Sequence, residues 1–430
     1  MKFFNIDEAL KLPQIFNVMH NALDELYAKR DEEFQKSNPL KEIYKMVPLN
    51  TFQKSFGSST GFKQAFEQTV DYASYPGFTN GDGFRTVVSY KPFNGKVVFT
   101  WQTLMEADPS GISETLKDYQ VAWQRQLVQY GMYALVAFFG NKIYDPVAKT
   151  HLKIVSADTR TGDPMDEVHN PVFYHEHTIV KQEGMSAQDI EDAYQSNKYY
   201  IPVKLDGTDP LAYAKIADGL NQIKVAMNKL KDDNNQYAGL RGRKKIVATE
   251  DARLNGALRS ILAADNFSDT VGKPTLNLVK DGFDTYFTPY LEGNPDQPIP
   301  QFATTADGYA KGLLMLDPEY NNANKGPMMV ERLGFSMKAV KTDDPEGIKY
   351  LGKQAFDFFC PSWRGVAYIF IGTEEELTTI YADGADSKNA WANPTTFTKI
   401  DPVAFATAVQ VVNKAENPVI TDEVITDEKE

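Results

Sequence analysis

The chain has 430 residues, 42% of them hydrophobic, which is enough for more than one buried core and points to a globular protein of several parts. A formal net charge of −13 excludes a protein whose main task is gripping nucleic acid, and favours solubility at high concentration. The single cysteine, Cys360, excludes an internal disulfide framework; set in Phe356-Asp-Phe-Phe-Cys360-Pro, it reads as a buried structural thiol rather than a nucleophile.

The N-terminal run Met1-Lys-Phe-Phe-Asn-Ile-Asp-Glu8 turns acidic before any apolar core of useful length, so no export signal is read there. The most apolar stretch, from Tyr130 to Phe139, is well short of the roughly 20 residues that span a bilayer. Synthesis and assembly are therefore expected in a cytoplasm.

In chain order, residues 6–46 carry helical spacing (Leu10, Phe16, Met19, Leu23, Leu26, Tyr27), punctuated by Pro13 and Pro39. Two readings stand side by side here: an arm laid across a partner, or an N-terminal helix of the main body. Residues 50–83, rich in Ser, Gly, Thr and Phe, form an approach to the next element.

From Phe84 to Lys91 and from Lys96 to Leu104 the pattern is β, and Asn94-Gly95 between them predicts a hairpin turn, because both central positions of the favoured turn need positive φ. Such a ribbon would be on the order of 25 Å long. A lone hairpin of that length is marginal in water and must lie on something.

A long amphipathic helix follows, predicted from Ser113 to Phe139, or roughly 40 Å. Leu116, Tyr119, Trp123, Leu127, Tyr130, Ala134 and Ala137 fall on one face at steps of three and four. Its second half is apolar all round, which predicts burial.

Between about 145 and 335 strands, loops and helices alternate. Lys153 to Ser156 and Tyr199 to Leu205 read as strands, and Pro210 to Leu230 as a helix. Arg243 to Thr249 reads as a strand and Glu250 to Ala264 as a helix, an alternation that suits a mixed α+β domain. Glu331 to Lys341 and Val366 to Gly372 are strand patterns, while Lys349 to Phe359 fits a strand or a helix. A helix is expected near Pro402 to Lys414, and the end repeats Val-Ile-Thr-Asp-Glu at 419–423 and 424–428 in an acidic tail that reads as disordered.

Candidate chemistry is sparse. His169, His175 and His177 lie within nine residues, and a His-x-His pair on a strand puts both imidazoles on one face, as zinc or iron could use. The plainer reading is a polar loop with ordinary histidines. Gly239-Leu-Arg-Gly-Arg-Lys-Lys245 could touch phosphates but has no interleaved aromatics, so a solvated turn suits it better. The sequence holds no phosphate loop, nucleophile elbow, Cys-x-x-Cys or His-Glu-x-x-His motif. No cofactor and no catalytic residue is expected.

This order of elements resembles the major capsid proteins of tailed bacteriophages, of the Hong Kong 97-type α+β fold that encapsulin shells share. Lys244 to Leu258 looks like that family's axial strand and helix, Phe283 to Leu291 like its later axial strand, and Glu331 to Gly372, with Trp363-Arg-Gly-Val-Ala-Tyr368, like its last peripheral strands. The resemblance implies an N-terminal arm (1–75), an extended β-ribbon loop (76–106) and a peripheral domain with a spine helix (107–145). It further implies an axial domain with room for an insertion (146–328), a peripheral return (329–372) and a C-terminal extension with the acidic tail (373–430).

The implied function is self-assembly into hexamers and pentamers of an icosahedral head that encloses double-stranded DNA. A separate scaffolding protein, a portal and a decoration protein would be its partners, and the virion capsid its location. Interface residues are then expected on the ribbon: Phe84, Val88, Tyr90, Phe93, Val98, Phe99 and Trp101, with Arg85, Lys91 and Lys96 as charged partners. Ordinary core packing is the alternative for each aromatic. Two other functions stay open, an encapsulin-like compartment and a metal-dependent enzyme using the three histidines.

Overall fold

A computed structural model of the chain describes residues 29–51, 53–61, 81–100, 109–139, 142–145, 150–153, 171–177, 194–232, 236–268, 274–277, 279–280, 282–303, 308–343, 346–382 and 390–402. The first strands are β1 (Lys45–Pro48), β2 (Gln53–Gly61), β3 (Gly81–Ser89) and β4 (Lys91–Thr100), followed by the helix α1 (Pro109–Val136). Then come β5 (Lys142–Asp145), β6 (Thr150–Lys153), β7 (Lys198–Ile201), the helix α2 (Ala212–Asn228), β8 (Lys244–Ala248) and the helix α3 (Ala252–Ala263). Next are β9 (Asn266–Ser268), β10 (Pro274–Leu276), β11 (Phe283–Phe287), β12 (Gly293–Asn294), β13 (Gln297–Pro298) and β14 (Gly312–Leu316). Two long strands, β15 (Met328–Asp343) and β16 (Glu346–Phe359), precede β17 (Val366–Ile371), the helix α4 (Glu374–Ala382) and β18 (Thr398–Lys399). This is the mixed α+β class that the sequence predicts.

Two sheets organise the molecule. The first has four strands in the order β1-β15-β16-β4. β15 and β16 form a long antiparallel hairpin from Met328 opposite Phe359 out to Asp343 opposite Glu346, with irregular register between Glu331 and Ser336. At 16 residues β15 is on the order of 50 Å long. β1 joins one side in parallel and β4 the other side antiparallel.

The second sheet has six strands in the order β11-β8-β14-β17-β7-β18. Its centre is apolar without alternation: every residue of β14 (Gly-Leu-Leu-Met-Leu) and of β17 (Val-Ala-Tyr-Ile-Phe-Ile) is buried, the signature of a strand covered on both faces. α2 buries Ile216, Leu220, Ile223 and Met227, one stripe at helical spacing. α3 starts at Asp251, whose carboxylate accepts from the amides of Arg253 and Leu254 at 3.0 and 2.8 Å.

α1 begins at Pro109, four residues before the predicted Ser113, because proline suits a first turn where no amide partner is needed. It ends in a tighter 3-10 turn at Ala137–Phe139. Its second half is buried on all sides, as the sequence predicts: Tyr130, Met132, Ala134, Leu135 and Phe138 are almost wholly covered. Part of that cover comes from Leu40, Ile43 and Tyr44, whose hydroxyl donates to the Gly131 carbonyl at 2.8 Å. Gly131 is a close approach, since a β-carbon there would meet Leu40 and lie 3.1 Å from the Phe358 ring. Residues 39–49 thus belong to the body of this chain.

The predicted turn at Asn94-Gly95 is corrected. β4 runs straight through both residues, with Asn94 opposite Lys353 and Gly95 opposite Gly352. A β-carbon on Gly95 would meet the Tyr119 hydroxyl and stand 2.9 Å from Trp123 Cζ3; on Gly352 it would be 2.8 Å from the same hydroxyl. The glycine is there to let aromatic side chains of α1 lie flat on the sheet, a use that local turn statistics do not see. The long two-stranded ribbon is instead β2 with β3, Gln53 opposite Ser89. The backbone from 81 to 100 is therefore nearly one strand that changes partner at Tyr90.

The segment read as a strand or a helix, Lys349 to Phe359, is strand β16. Of the strand predicted at Lys153 to Ser156, Lys153 ends β6 and the rest falls outside the described residues. The expected helix after Pro402 and the acidic tail fall outside the described residues.

Candidate subunit-contact surface

The interface residues expected on the ribbon do not share one environment. Phe93 and Phe99 are used inside the chain, which corrects the expectation for both. Phe93 stacks on Phe356 with ring centres 4.3 Å apart and meets Tyr130 edge-on at 5.3 Å. Phe99 is 6% exposed and forms a small core with Leu116 and Tyr350. Their inward direction follows from the strand alternation, because Gly95 faces α1 and residues 93, 97 and 99 share its face.

Tyr90 and Lys91 sit at the change of partner. The Arg332 guanidinium lies 5.1 Å over the Tyr90 ring. Lys91 pairs with Asp357 at 3.1 Å; burial nevertheless holds the Asp357 carboxyl above its ordinary value, with Lys91 opposing that shift.

Lys96 and Val98 point the other way, onto the face of the four-stranded sheet opposite α1. Phe84, Arg85 and Val88 lie on β3, where Arg85 is opposite Gly57 and Val88 opposite Lys54. Trp101 falls outside the described residues. β2 and β3 pair with each other and join neither larger sheet.

The two described histidines, His175 and His177, have different partners. His177 is 1% exposed and lies parallel to Trp363, ring centres 3.8 Å apart. Its Nε2 is 3.1 Å from the Val172 carbonyl oxygen, an acceptor, and 3.2 Å from Asn197 Oδ1, so that nitrogen carries a proton and is not open to a metal. Burial pushes the imidazole down to about 3, which keeps it neutral at any ordinary pH. His175 Nε2 faces Glu176 at 3.2 Å, and His169 is outside the described residues. Among the described residues, no three His, Cys, Asp or Glu side chains form a group that could hold a metal ion.

In the basic run at 239–245, Gly239, Arg241 and Arg243 are exposed in a loop, as a solvated turn would be, and the end of the run departs from that reading. Lys244 is fully buried and donates to Asp317 at 2.5 Å and to the Leu240 carbonyl at 3.1 Å. Lys245 pairs with Glu42, and Arg243 with Asp284 at 3.2 Å. These three cations have partners within the chain, and the buried one, Lys244, stands where β8 enters the six-stranded sheet between β11 and β14. Sequence patterning carried no sign of it, since the partner Asp317 lies 73 residues away.

Among the described residues no helix is long and apolar enough to cross a membrane. No protein-family model matches the chain, and no curated protein is similar to it in sequence. Solved structures similar in arrangement include the mature capsid of bacteriophage PhiM1, 11% identical, with a TM-score of 0.43 over 77% of this chain and 86% of that one. A structure from Mycobacterium phage Patience is 10% identical, with a TM-score of 0.41 over 83% of this chain and 88% of that one. A virus-like particle from Pyrococcus furiosus is 9% identical, with a TM-score of 0.37 over 83% of this chain and 99% of that one.

Proposed function

We propose that this chain is a shell-forming major capsid protein, which assembles through repeated contacts between copies into hexamers and pentamers of an icosahedral head around double-stranded DNA. The observation that carries the reading is the β2–β3 ribbon: nine residues in each strand, paired among the described residues to nothing but itself, at the end of a strand whose other half is built into the four-stranded sheet. A two-stranded ribbon of that length has no stable existence in water alone and is completed by a neighbour. Identical ribbons meeting identical bodies make a heterologous contact, the kind that propagates into closed shells.

The role is structural rather than catalytic. The side chains that looked most like chemistry in the sequence are occupied in packing, His177 under Trp363 and Lys244 on Asp317. A scaffolding protein, a portal and a decoration protein are the partners such a shell would use, with assembly in a host cytoplasm.

Negative-stain electron microscopy of the purified chain, with size-exclusion chromatography, tests the reading. Uniform shells or hexamer-sized rings are the expected result, and a well-behaved monomer or dimer at high concentration overturns it. Nuclease-protected double-stranded DNA inside shells from an infected host is expected of a phage head; shells filled with enzyme instead would mark a compartment.

A further inference from the structure

The face of the four-stranded sheet turned away from α1 carries a pattern of its own. Three rows run across β15, β16 and β4 in register: Lys338, Leu351, Lys96; Val340, Lys349, Val98; and Ser336, Lys353, Asn94. Lysines therefore alternate with Leu351, Val98 and Val340 in two rows and with Ser336 and Asn94 in the third, rows about 7 Å apart and strands about 4.8 Å apart. Lys96, Lys338 and Lys353 are exposed and Lys349 is half-buried. None of the four has an ion-pair partner among the described residues.

No aspartate or glutamate occurs in the segments that build this face, 92–100, 332–340 and 348–355, although the whole chain carries a net charge of −13. Beside the rows, Tyr90, Pro92, Arg332, Leu333 and Lys353 line a depression of about 290 Å³.

We propose that this face docks the acidic C-terminal tail of the chain, residues 416–430, from the same copy or a neighbouring one. The tail contains Glu416, Asp422, Glu423, Asp427, Glu428 and Glu430 against one lysine, Lys429, and interleaves them with Val419, Ile420, Val424 and Ile425. It presents the complement of the face, carboxylates for the lysines and aliphatic side chains for Leu351, Val98 and Val340. A nucleic-acid backbone would meet the lysines but leave the aliphatic positions without a partner, and the rows lack the aromatic side chains that stack on bases.

The N-terminal 28 residues are a weaker match, with only Asp7, Glu8, Asp24 and Glu25 spread over their length. Reach is no obstacle, since the 28 residues after Pro402 extend to on the order of 90 Å. Charge contacts between mobile exposed groups are individually weak, so the docking is expected to loosen with salt. The inference stands whether or not the chain forms a shell.

Zero-length carbodiimide cross-linking of the full chain, read by mass spectrometry, tests it. Links are expected to concentrate between Lys96, Lys338, Lys349 or Lys353 and Asp422, Glu423, Asp427 or Glu428, and to fall several-fold at 1 M salt. The variant K349E/K353E is expected to lose most of them with an unchanged melting temperature, and the combined variant K349E/K353E/D422K/E423K to regain links between the same positions. Tail carboxylates that link nowhere, or evenly to lysines over the whole surface, overturn the proposal. So does an unchanged tail pattern in K349E/K353E accompanied by a roughly tenfold loss of affinity for a 20-base-pair duplex, which would assign the face to nucleic acid.

Discussion

The two sheets of this molecule are built from similar residues and solve different problems. The six-stranded sheet is covered on both faces, and its central strands β14 and β17 expose nothing. Its fully buried Lys244 is given a carboxylate partner, Asp317. Among the described residues, the outer part of the four-stranded sheet is covered on the α1 face and left open on the other. Tyr350, Gly352, Gln354 and Phe356 face the body, while Lys349, Leu351 and Lys353 between them face outward. Among the described residues, the six-stranded sheet is finished within one chain, and the four-stranded sheet keeps an outward face that nothing covers over Lys349, Leu351 and Lys353. Stability should therefore concentrate in the six-stranded sheet and association in the other.

The largest effect expected from a single change lies in the finished sheet. Asp317→Ala strands a fully buried Lys244 and also removes the carboxylate that accepts from the Tyr320 amide at 3.0 Å. A loss of about 3–5 kcal/mol is expected from chemical denaturation, the usual penalty for orphaning a buried charge. A loss under about 1 kcal/mol would dissolve the contrast between the sheets.

Acid should act on the same region. The His177 imidazole is held at about 3 in the folded chain and returns to about 6.5 on unfolding. The unfolded state then binds the extra proton between those values, so this contribution is complete above about pH 6.5 and is lost as the pH falls toward 3. It amounts to on the order of 5 kcal/mol across that window. In His177→Gln that part of the pH dependence should vanish, which melting curves at pH 7 and pH 4 would read.

On the four-stranded sheet, Gly95→Val pushes a side chain into Tyr119 and Trp123 and is expected to cost about 1–3 kcal/mol as overpacking. The tryptophan fluorescence should shift as Trp123 moves off the sheet. The outward face of the same sheet should tolerate change: Val340→Ser, 36% exposed in the wild type, is expected to alter folding stability by less than about 0.5 kcal/mol while weakening association seen by size-exclusion chromatography. A stability loss as large as that of Gly95→Val would mean that the face is already covered within the chain.

Much of the framework was legible beforehand, because it rests on periodicity. The α1 stripe from Leu116 to Ala137, the α2 stripe from Ile216 to Met227 and the runs at β8 and β17 repeat at helical or strand spacing over many residues, and burial of one face enforces that spacing. The ribbon was placed in the right part of the chain but given the wrong partner. Asn94-Gly95 carries the local signature of a turn, and the choice between turn and strand came from Tyr119 and Trp123, two dozen residues and more further on. The sites fared less well for the same reason. Phe93 and Phe99 could be sorted inward only once the strand's two faces were known, and the pairing of Lys244 with Asp317 spans 73 residues.

By itself, then, the sequence determined where the long helices and the most apolar strands lie, that the chain is α+β, and that no familiar catalytic motif is present. The tertiary structure decided which strand pairs with which, which cations are buried on carboxylates and which are left facing outward. The physical reason is range. Helix and strand preferences arise from neighbours within a turn or two, whereas register, ion pairing and the coverage of a sheet face are set by groups that meet only when distant segments pack together.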